Sequence, residues 1–288
     1  MIPKPTISLH GNGSEVTLSH WGGGDFILMD QPTGLGWGPI EVSTTDRAEG
    51  GSVLRHRRPV EADVMIPLLV GRDFYSMRDA RRRLEGVMAD EVEVRVTHPD
   101  GQARSRFGYY RDGLEGVGEE FQDGEKLALS LLCPDPWWYG VERVREWNLS
   151  TVIKPYWTSY PRLPHYPAWL SSSTVLGQFE FTVSGDAAAS PVWTVYGPGE
   201  DVLIECGNGC GSRLFLEGEI TEPVTFDTVN EDITSPSMDR GELWERVSLD
   251  SEFFTLPPGE NRVRVSMVGA TAASKVVLSY REKFRAGH

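Results

Sequence analysis

The stretch FYSMRDARRRLEGVMADEVEVRV, residues 74–96, contains a change of hydrophobic period that decides the fold of the first half of the chain. From Phe74 to Ala89 the apolar residues recur at intervals of three and four, which predicts an amphipathic helix. Beyond the helix, Val92, Val94 and Val96 alternate with charged residues, as is typical of a strand with one buried face. The stretch therefore predicts a helix that leads directly into a half-buried strand.

Further strands are predicted on both sides of this stretch. Thr6–His10 and Glu15–His20 flank the turn signal GNG and predict a hairpin. Val60–Val70 and Lys126–Leu132 predict two longer strands. Several strands around a single helix indicate an α+β domain with little parallel sheet.

The second half of the chain contains strand and turn signals and no comparable helix. Short apolar segments recur from Val192 to Tyr280 and are separated by turns rich in glycine and proline, which predicts a β-sandwich or jelly roll. Between the halves lies YWTSYPRLPHYPAWL, whose proline density is typical of an extended connector. We therefore expect a mainly β protein with a β-rich domain at 1–142, a connector at 143–174 and a sandwich domain at 175–288.

Composition and charge exclude several classes of protein. The 288 residues include 28 basic and 42 acidic side chains, for a net charge of −14. Because phosphate contacts dominate nucleic-acid affinity, this charge argues against a dedicated nucleic-acid binder. No segment reaches the roughly 18 apolar residues that cross a bilayer, so we expect no membrane anchoring. Residues 1–13 lack the apolar core of a secretion signal, so we expect synthesis in a cytoplasm.

The sequence contains no recognisable motif for catalysis, for a metal or for a cofactor. A nucleophile elbow, a phosphate loop, a dinucleotide fingerprint and a zinc-protease motif are all missing. Cys206 and Cys210 have no second cysteine pair or histidine cluster with which to complete a zinc site. The odd count of three cysteines argues against a disulfide framework, so we expect small buried or turn thiols. These observations predict a protein that is not an enzyme and binds no cofactor.

Several blocks of the sequence resemble one family when they are taken in order. ILMDQPTGLGWGPIEVSTTDRAEGGSVLRHRRPVEADVMIPLLV (27–70), VTHPDGQARSRFGYYRDGLEG (96–116) and LALSLLCPDPWWYG (127–140) are similar to the first domain of siphophage distal tail proteins. FEFTVSGDAAASPVWTVYGPG (179–199) and LPPGENRVRV (256–265) resemble that family's sandwich domain. Each motif is loose, but their shared order and spacing cover most of residues 20–284.

The resemblance implies a fold and a role. The fold would be a tail-tube-like first domain followed by a galectin-like sandwich. The role would be a structural protein of the virion tail tip, made in the host bacterium and assembled as a homo-hexameric ring. The expected partners are copies of the same chain, the tail tube protein, the tape-measure protein and the tail-tip hub or receptor-binding proteins. DNA would only pass through the lumen, and like charge would keep it from adhering to the acidic protein.

Three elements are candidates for ring contacts. They are the GLGWGPI loop with Leu35 and Trp37, the helix with Arg81, Arg82 and Arg83, and the corner with Asp135, Trp137 and Trp138. Each has a plainer interpretation. A run of arginines on a helix is usually a solvated face, and the two tryptophans of the corner can simply close the domain core.

The alternative function is a carbohydrate-binding module for the host cell wall. Trp157, Tyr160, Tyr166 and Trp169 could form a sugar-binding platform, although aromatic side chains in a connector more often pack against a neighbouring domain. A wall-degrading hydrolase is a third hypothesis, supported only by carboxylate pairs such as Glu119 and Glu120, which lie in loop-like surroundings.

Overall fold

A computed structural model of the chain describes residues 4–20, 24–71, 74–115, 120–121, 124–148, 174–207 and 209–288. Strands account for 57% of the structure and helix for 7%, which confirms the prediction of a mainly β protein. The chain forms two compact units. Unit 1 comprises Met1–Val141 and Lys283–His288, and unit 2 comprises Glu142–Glu282.

The unit boundaries differ from the predicted domains at two points. Glu142 belongs to unit 2 and not to the first domain, and residues 283–288, predicted as part of the second domain, pack within unit 1. The predicted connector, 143–174, lies outside the described residues from 149 to 173, so that part of the domain prediction stays a prediction.

Unit 1 is built on antiparallel strands and one helix. In chain order its elements are β1 (Thr6–Gly11), β2 (Ser14–Leu18), β3 (Phe26–Leu28), β4 (Ile40–Asp46), β5 (Ser52–Pro59), β6 (Ala62–Val70), α1 (Phe74–Val87), β7 (Glu91–Thr97), β8 (Ala103–Asp112), β9 (Glu120–Phe121), β10 (Gly124–Cys133) and β11 (Trp138–Asn148), whose last residues belong to unit 2. Successive pairings run β2–β1–β7–β8–β10–β6–β3, all antiparallel. Alternate residues of β6, β7 and β10 are buried, so this sheet has one face on the core.

Helix α1 covers the buried face of this sheet. Ala80, Leu84 and Val87 are almost completely buried among the side chains of β1, β2, β6 and β10. Since these residues recur at three- and four-residue intervals, the predicted amphipathic helix is confirmed, and it ends two residues earlier than predicted.

The hairpin β4–β5 is a separate two-stranded sheet that the sequence analysis did not predict. Every residue of β5 is exposed, and β4 has no fully buried residue. Because neither face is buried, the hairpin carries no alternation of apolar and polar residues by which it could be recognised. Neither strand of the hairpin contributes a side chain to the buried core of unit 1.

Unit 2 is a two-sheet β structure. Its elements are β12 (Thr174–Val183), β13 (Val192–Tyr196), β14 (Gly199–Cys206), β15 (Arg213–Ile220), β16 (Val224–Asp227), β17 (Asp232–Thr234), α2 (Arg240–Glu245), β18 (Gly259–Val268) and β19 (Lys275–Phe284). One sheet has the order β17–β16–β13–β19 and the other β12–β18–β14–β15. Trp193 and Phe226 from the first sheet and Ile204 and Val265 from the second share one buried cluster, as in the predicted sandwich.

Two further sequence expectations concern the cysteines and the membrane. The structure joins Cys206 and Cys210 in a disulfide at the end of β14, so the expectation of separate thiols was wrong for this pair, whereas Cys133 is a buried free thiol. The short turn after β14 brings the two cysteines together, a local arrangement that the cysteine count does not reveal. Among the described residues, no helix has both the length and the apolarity that a bilayer span requires.

Candidate assembly interface

The GLGWGPI loop is fixed to the sheet at its start. Thr33 donates its backbone N–H to the carbonyl of Met65 at 2.9 Å and accepts one from Met65 at 3.2 Å. Gly34 follows with a φ of +80°, and a Cβ there would lie 2.0 Å from the carbonyl oxygen of Asp63. Only glycine fits so close to the neighbouring backbone in this conformation. The loop therefore leaves β6 in one defined direction.

Leu35 and Trp37, the two predicted contact residues of this loop, differ in position. Leu35 is partly buried against the core of unit 1. Trp37 is 54% exposed, and the guanidinium carbons of Arg57 and Arg285 lie 5.6 and 4.7 Å from its ring centroid. Cation–π contacts of this kind hold an aromatic ring in place without covering it. Trp37 is therefore the accessible member of the pair, and Leu35 supports it.

Trp37 and Trp137 line one surface pocket of about 220 Å³, which we call the Trp37 pocket. The other residues that line it are Ile40, Arg57, Pro59 and Arg285. The structure thus brings together the predicted loop and the predicted corner, which are about a hundred residues apart in the sequence. The pocket has an apolar floor with two arginines and no carboxylate among its lining residues.

Arg106 holds the loop and the corner together, and the sequence analysis missed it. This side chain is completely buried. Its guanidinium donates to the carbonyl of Gly34 at 2.9 Å and to the carbonyl of Pro136. Burial lowers the pKa of Arg106 to about 10, so the guanidinium is still charged at neutral pH. The arginine lies in a strand that is otherwise ordinary, and only its zero exposure distinguishes it from its neighbours.

The corner before β11 is stabilised by its own side chains. Asp135 accepts a hydrogen bond from the backbone N–H of Trp137 at 3.0 Å and another from the hydroxyl of Tyr139. Trp138 is fully buried beneath Arg106, whose guanidinium carbon lies 4.6 Å from its ring centroid. A residue with no exposed surface cannot contact another subunit, so the assignment of Trp138 to the interface was wrong. Trp138 closes the core of unit 1, and Trp137 remains available at the pocket.

The segment Lys283–His288, which we call the strap, lies across this region of unit 1. Gly287 donates its N–H to the carbonyl of Leu35 at 2.8 Å, and its carbonyl lies 2.9 Å from Nε2 of His98. Arg104 donates to the carbonyls of Ala286 and His288, both at 2.8 Å. The strap therefore links the loop to the turn between β7 and β8.

The strap also seals the core. A Cβ on Gly287 would lie 3.0 Å from three ring atoms of Trp138, so the glycine permits this close approach. Arg285, two residues earlier, reaches the ring of Trp37. Part of the candidate interface is thus supplied by residues at the far end of the sequence.

The three helix arginines have separate roles. Arg81 pairs with the buried Glu125 at 2.7 Å and with Glu85 at 3.0 Å, and it also donates to the carbonyl of Leu114 at 2.6 Å. These partners lie within the same chain, so Arg81 ties α1 to β10. Its role as a contact residue stays a prediction.

Arg83 and Arg82 lie on the exposed side of the helix. Arg83 lies 3.3 Å from a carboxylate oxygen of Asp25, and its guanidinium carbon is 5.4 Å from the ring centroid of Phe26. Arg82 is exposed and forms no ion pair with the described part of the chain. The roles of Arg82 and Arg83 as contact residues stay predictions.

The site contains no arrangement suited to catalysis by a metal. Among the described residues, no group of three or more histidine, cysteine, aspartate or glutamate side chains is placed to hold a metal ion. The aromatic side chains of the carbohydrate hypothesis, Trp157, Tyr160, Tyr166 and Trp169, all lie outside the described residues, so that hypothesis stays a prediction.

Comparison with known proteins gives matches through structure. No family model and no curated protein sequence matches the chain. The Dit protein of phage SPP1, described as a paradigm of the hub of the adsorption apparatus in phages that infect Gram-positive bacteria, aligns with a TM-score of 0.64 and 16% identity. That alignment covers 96% of this chain and 99% of the Dit chain.

Chains from the phage P2 baseplate are also similar. The activated baseplate with calcium gives a TM-score of 0.57 at 12% identity, over 97% of this chain and 98% of that one. The activated baseplate with strontium gives 0.55 at 12% identity, over 96% and 98%. These alignments span both units, so the fold that the sequence resemblance implies is confirmed. The chain has the fold of the phage distal tail (Dit) proteins.

Proposed function

We propose that this chain is the distal tail protein of a long-tailed phage, a structural component that forms a homo-hexameric ring at the tail tip. The observation that carries the proposal is the alignment with SPP1 Dit over nearly the whole length of both chains. Two proteins that share only a widespread sandwich domain would align over that domain alone. Here the agreement includes the one-helix first unit as well.

The proposed ring joins the tail tube to the proteins of the tip. Its partners are copies of the same chain, the tail tube protein, the tape-measure protein and the hub or receptor-binding proteins. The first domain, together with residues 283–288 that pack within it, builds the ring, and the sandwich domain follows the connector 143–174. DNA passes through the lumen without binding, which is consistent with a net charge of −14. In this role the chain performs no chemistry.

The Trp37 pocket supports this proposal as a contact site. An exposed tryptophan beside two arginines is typical of the residues that dominate binding energy at protein interfaces. Trp37 is held in place by Arg57 and Arg285, so little side-chain entropy is lost when a partner covers it. Leu35, partly buried beneath the strap, keeps the loop in the same position.

The experiment is sedimentation of the purified full chain over a range of concentrations, with Leu35→Ala/Trp37→Ala as the variant. We expect the native chain to form an oligomer and the double variant to dissociate at concentrations at least tenfold higher, while its thermal unfolding changes less. A native chain that stays monomeric at every concentration, alone and mixed with tail tube protein, would contradict the proposal. Normal assembly of the variant would show that the loop is not a contact.

A further inference from the structure

The hairpin β4–β5 has one apolar face that the described residues of unit 1 leave largely exposed. Its register pairs Ile40 with Pro59, Val42 with Arg57 and Thr44 with Leu54, which places these side chains on the same side. Val42 and Leu54 are 55% and 57% exposed. A two-stranded hairpin is at best marginally stable in water without a packed face. The exposed face therefore indicates a surface that another molecule covers.

The same face continues into the Trp37 pocket. Ile40, Arg57 and Pro59 belong to both, so the apolar surface extends without a break from Leu54 to Trp37. A connected apolar surface of this kind, bordered by charged side chains, is typical of protein–protein contacts.

The charge of the hairpin favours an acidic partner. Three arginines lie within four residues of β5, at 55, 57 and 58. Arg58 is neutralised by Glu41 at 2.7 Å. Arg55 donates only to the hydroxyl of Thr45, and neither Arg55 nor Arg57 forms an ion pair with the described part of the chain. Two positive charges of the hairpin are thus left for another molecule.

An acidic surface of unit 1 has the complementary property. Asp90 and Glu91 lie at the start of β7, and Asp112 and Glu115 lie at and just beyond the end of β8. Because Glu91 pairs with Tyr109 in an antiparallel ladder, all four are at the same end of β7–β8, which we call the acidic end. Tyr109, 46% exposed, adds an aromatic ring there.

The acids of this end lack cationic partners. A hydrogen bond with Asp112 and the charge of that carboxylate raise the pKa of Glu115. The charge of Glu91 raises the pKa of Tyr109. The neighbouring Arg111 is already paired with Asp63 at 2.8 Å. Among the described residues none of the four acids of the acidic end has an ion-pair partner, so negative charge accumulates there.

The two surfaces are formed by different residues of unit 1. The hairpin consists of β4 and β5, whereas the acidic end consists of the start of β7 and the end of β8. A contact between two different patches is head-to-tail, and head-to-tail contacts are the kind that close into rings.

We propose that the β4–β5 hairpin of one copy docks on the acidic end of β7–β8 in a second copy of the chain. This inference rests on the proposed function and names the surfaces that join neighbouring subunits. Arg55 and Arg57 face the carboxylates of the acidic end, and the apolar face of the hairpin covers Tyr109. A contact of one hairpin with another would instead oppose arginine to arginine.

Charge reversal on the full-length chain tests the docking. Arg55→Glu/Arg57→Glu reverses the hairpin, and Glu91→Arg/Asp112→Arg reverses the acidic end. All four residues are exposed, so each variant is expected to keep its circular dichroism spectrum and its Tm close to native. Either variant alone places like charges opposite each other at the contact. We therefore expect the affinity of each subunit contact to fall by at least about tenfold. Arg213→Glu/Arg262→Glu, at exposed positions of unit 2, changes the net charge by the same amount and in the same direction as the hairpin reversal, and it is expected to assemble normally.

The decisive sample is an equimolar mixture of the two reversed variants. In an alternating ring of even number every hairpin then meets an acidic end of opposite charge, so assembly is expected to return in the mixture. If the native chain assembles but neither reversal weakens it, or if the mixture fails, this inference is overturned while the proposed function stands. If the native chain is monomeric under every condition, both are overturned.

Discussion

Replacing Arg106 with methionine tests whether one buried guanidinium fixes the position of the Trp37 loop. The side chain has no exposed surface, and it donates to the carbonyls of Gly34 in the loop and Pro136 in the corner. Methionine keeps an unbranched, adaptable chain in the same space and removes the donors. The loop and the corner then lose the group that joins them.

The expected loss of stability is small because two effects oppose each other. Two hydrogen bonds from a charged donor contribute about 1.5–3 kcal/mol each, so their removal costs about 3–6 kcal/mol. Burial lowers the pKa of Arg106 to about 10, and relief of this desolvation returns about 3 kcal/mol. The net loss in the free energy of unfolding is then about 0–3 kcal/mol, which corresponds to a fall in Tm of up to about 10 °C.

The larger effect is local and is measured by native-state hydrogen exchange. The amides of residues 34–38 and of Gly287, which bonds to the carbonyl of Leu35, are expected to exchange faster, while those of β6 and β10 keep their protection. Arg111→Met is the control, since Arg111 lies in the same strand but is exposed and paired with Asp63. Its effect is expected within about 0.5 kcal/mol. Unchanged exchange in the loop, or an equal increase over all of unit 1, would show that Arg106 does not fix the position of the loop.

Three further predictions concern the packing of unit 1. A Cβ on Gly287 would already lie 3.0 Å from the ring of Trp138, so Gly287→Val crowds this contact. We expect the variant to lose about 1–3 kcal/mol of stability in thermal unfolding. An unchanged Tm would show that the strap does not seal the core. Glu125→Gln replaces the buried carboxylate partner of Arg81 with a neutral amide. We expect the free energy of unfolding in urea to fall by about 2–4 kcal/mol at an unchanged m-value. A loss below about 0.5 kcal/mol would contradict the role given to this buried pair. Burial raises the pKa of Cys133 to about 11, so this thiol is unreactive at pH 8 in the native chain. A thiol reagent at pH 8 should therefore detect no thiol in the native chain and one in denaturant without reductant, because Cys206 and Cys210 form a disulfide. A reactive thiol in the native chain would mean that this part of the core opens.

Elements with a clear hydrophobic period could be predicted from the sequence. The alternation of Val92, Val94 and Val96 and the helical spacing of Ala80 and Leu84 both reflect burial on one face, and these elements formed as predicted. The hairpin β4–β5 could not be found in this way, because its exposed faces leave no period to detect. The contact proposed for it lies between two copies of the chain, and the pattern within one sequence does not reveal such a contact.

The candidate interface could be predicted only in part. Trp37 and Trp137 do share a pocket, as expected for contact residues, whereas Trp138 and Arg81 are committed to contacts within the chain. Trp137 and Trp138 are neighbours in the sequence, and neighbouring side chains at a strand can point to opposite sides. Which of the two is buried therefore becomes clear only once the position of the strand in the sheet is known. The strap and Arg106 depend on contacts between residues far apart in the sequence, which local patterns do not encode.

Electron microscopy of the purified full chain tests whether the chain forms the proposed ring of the phage tail tip. We expect closed six-fold particles with a mass near six times 32.1 kDa and a central opening wide enough for duplex DNA. Particles without a central opening, a closed ring of another order, or a chain that stays monomeric with tail tube protein present would contradict it.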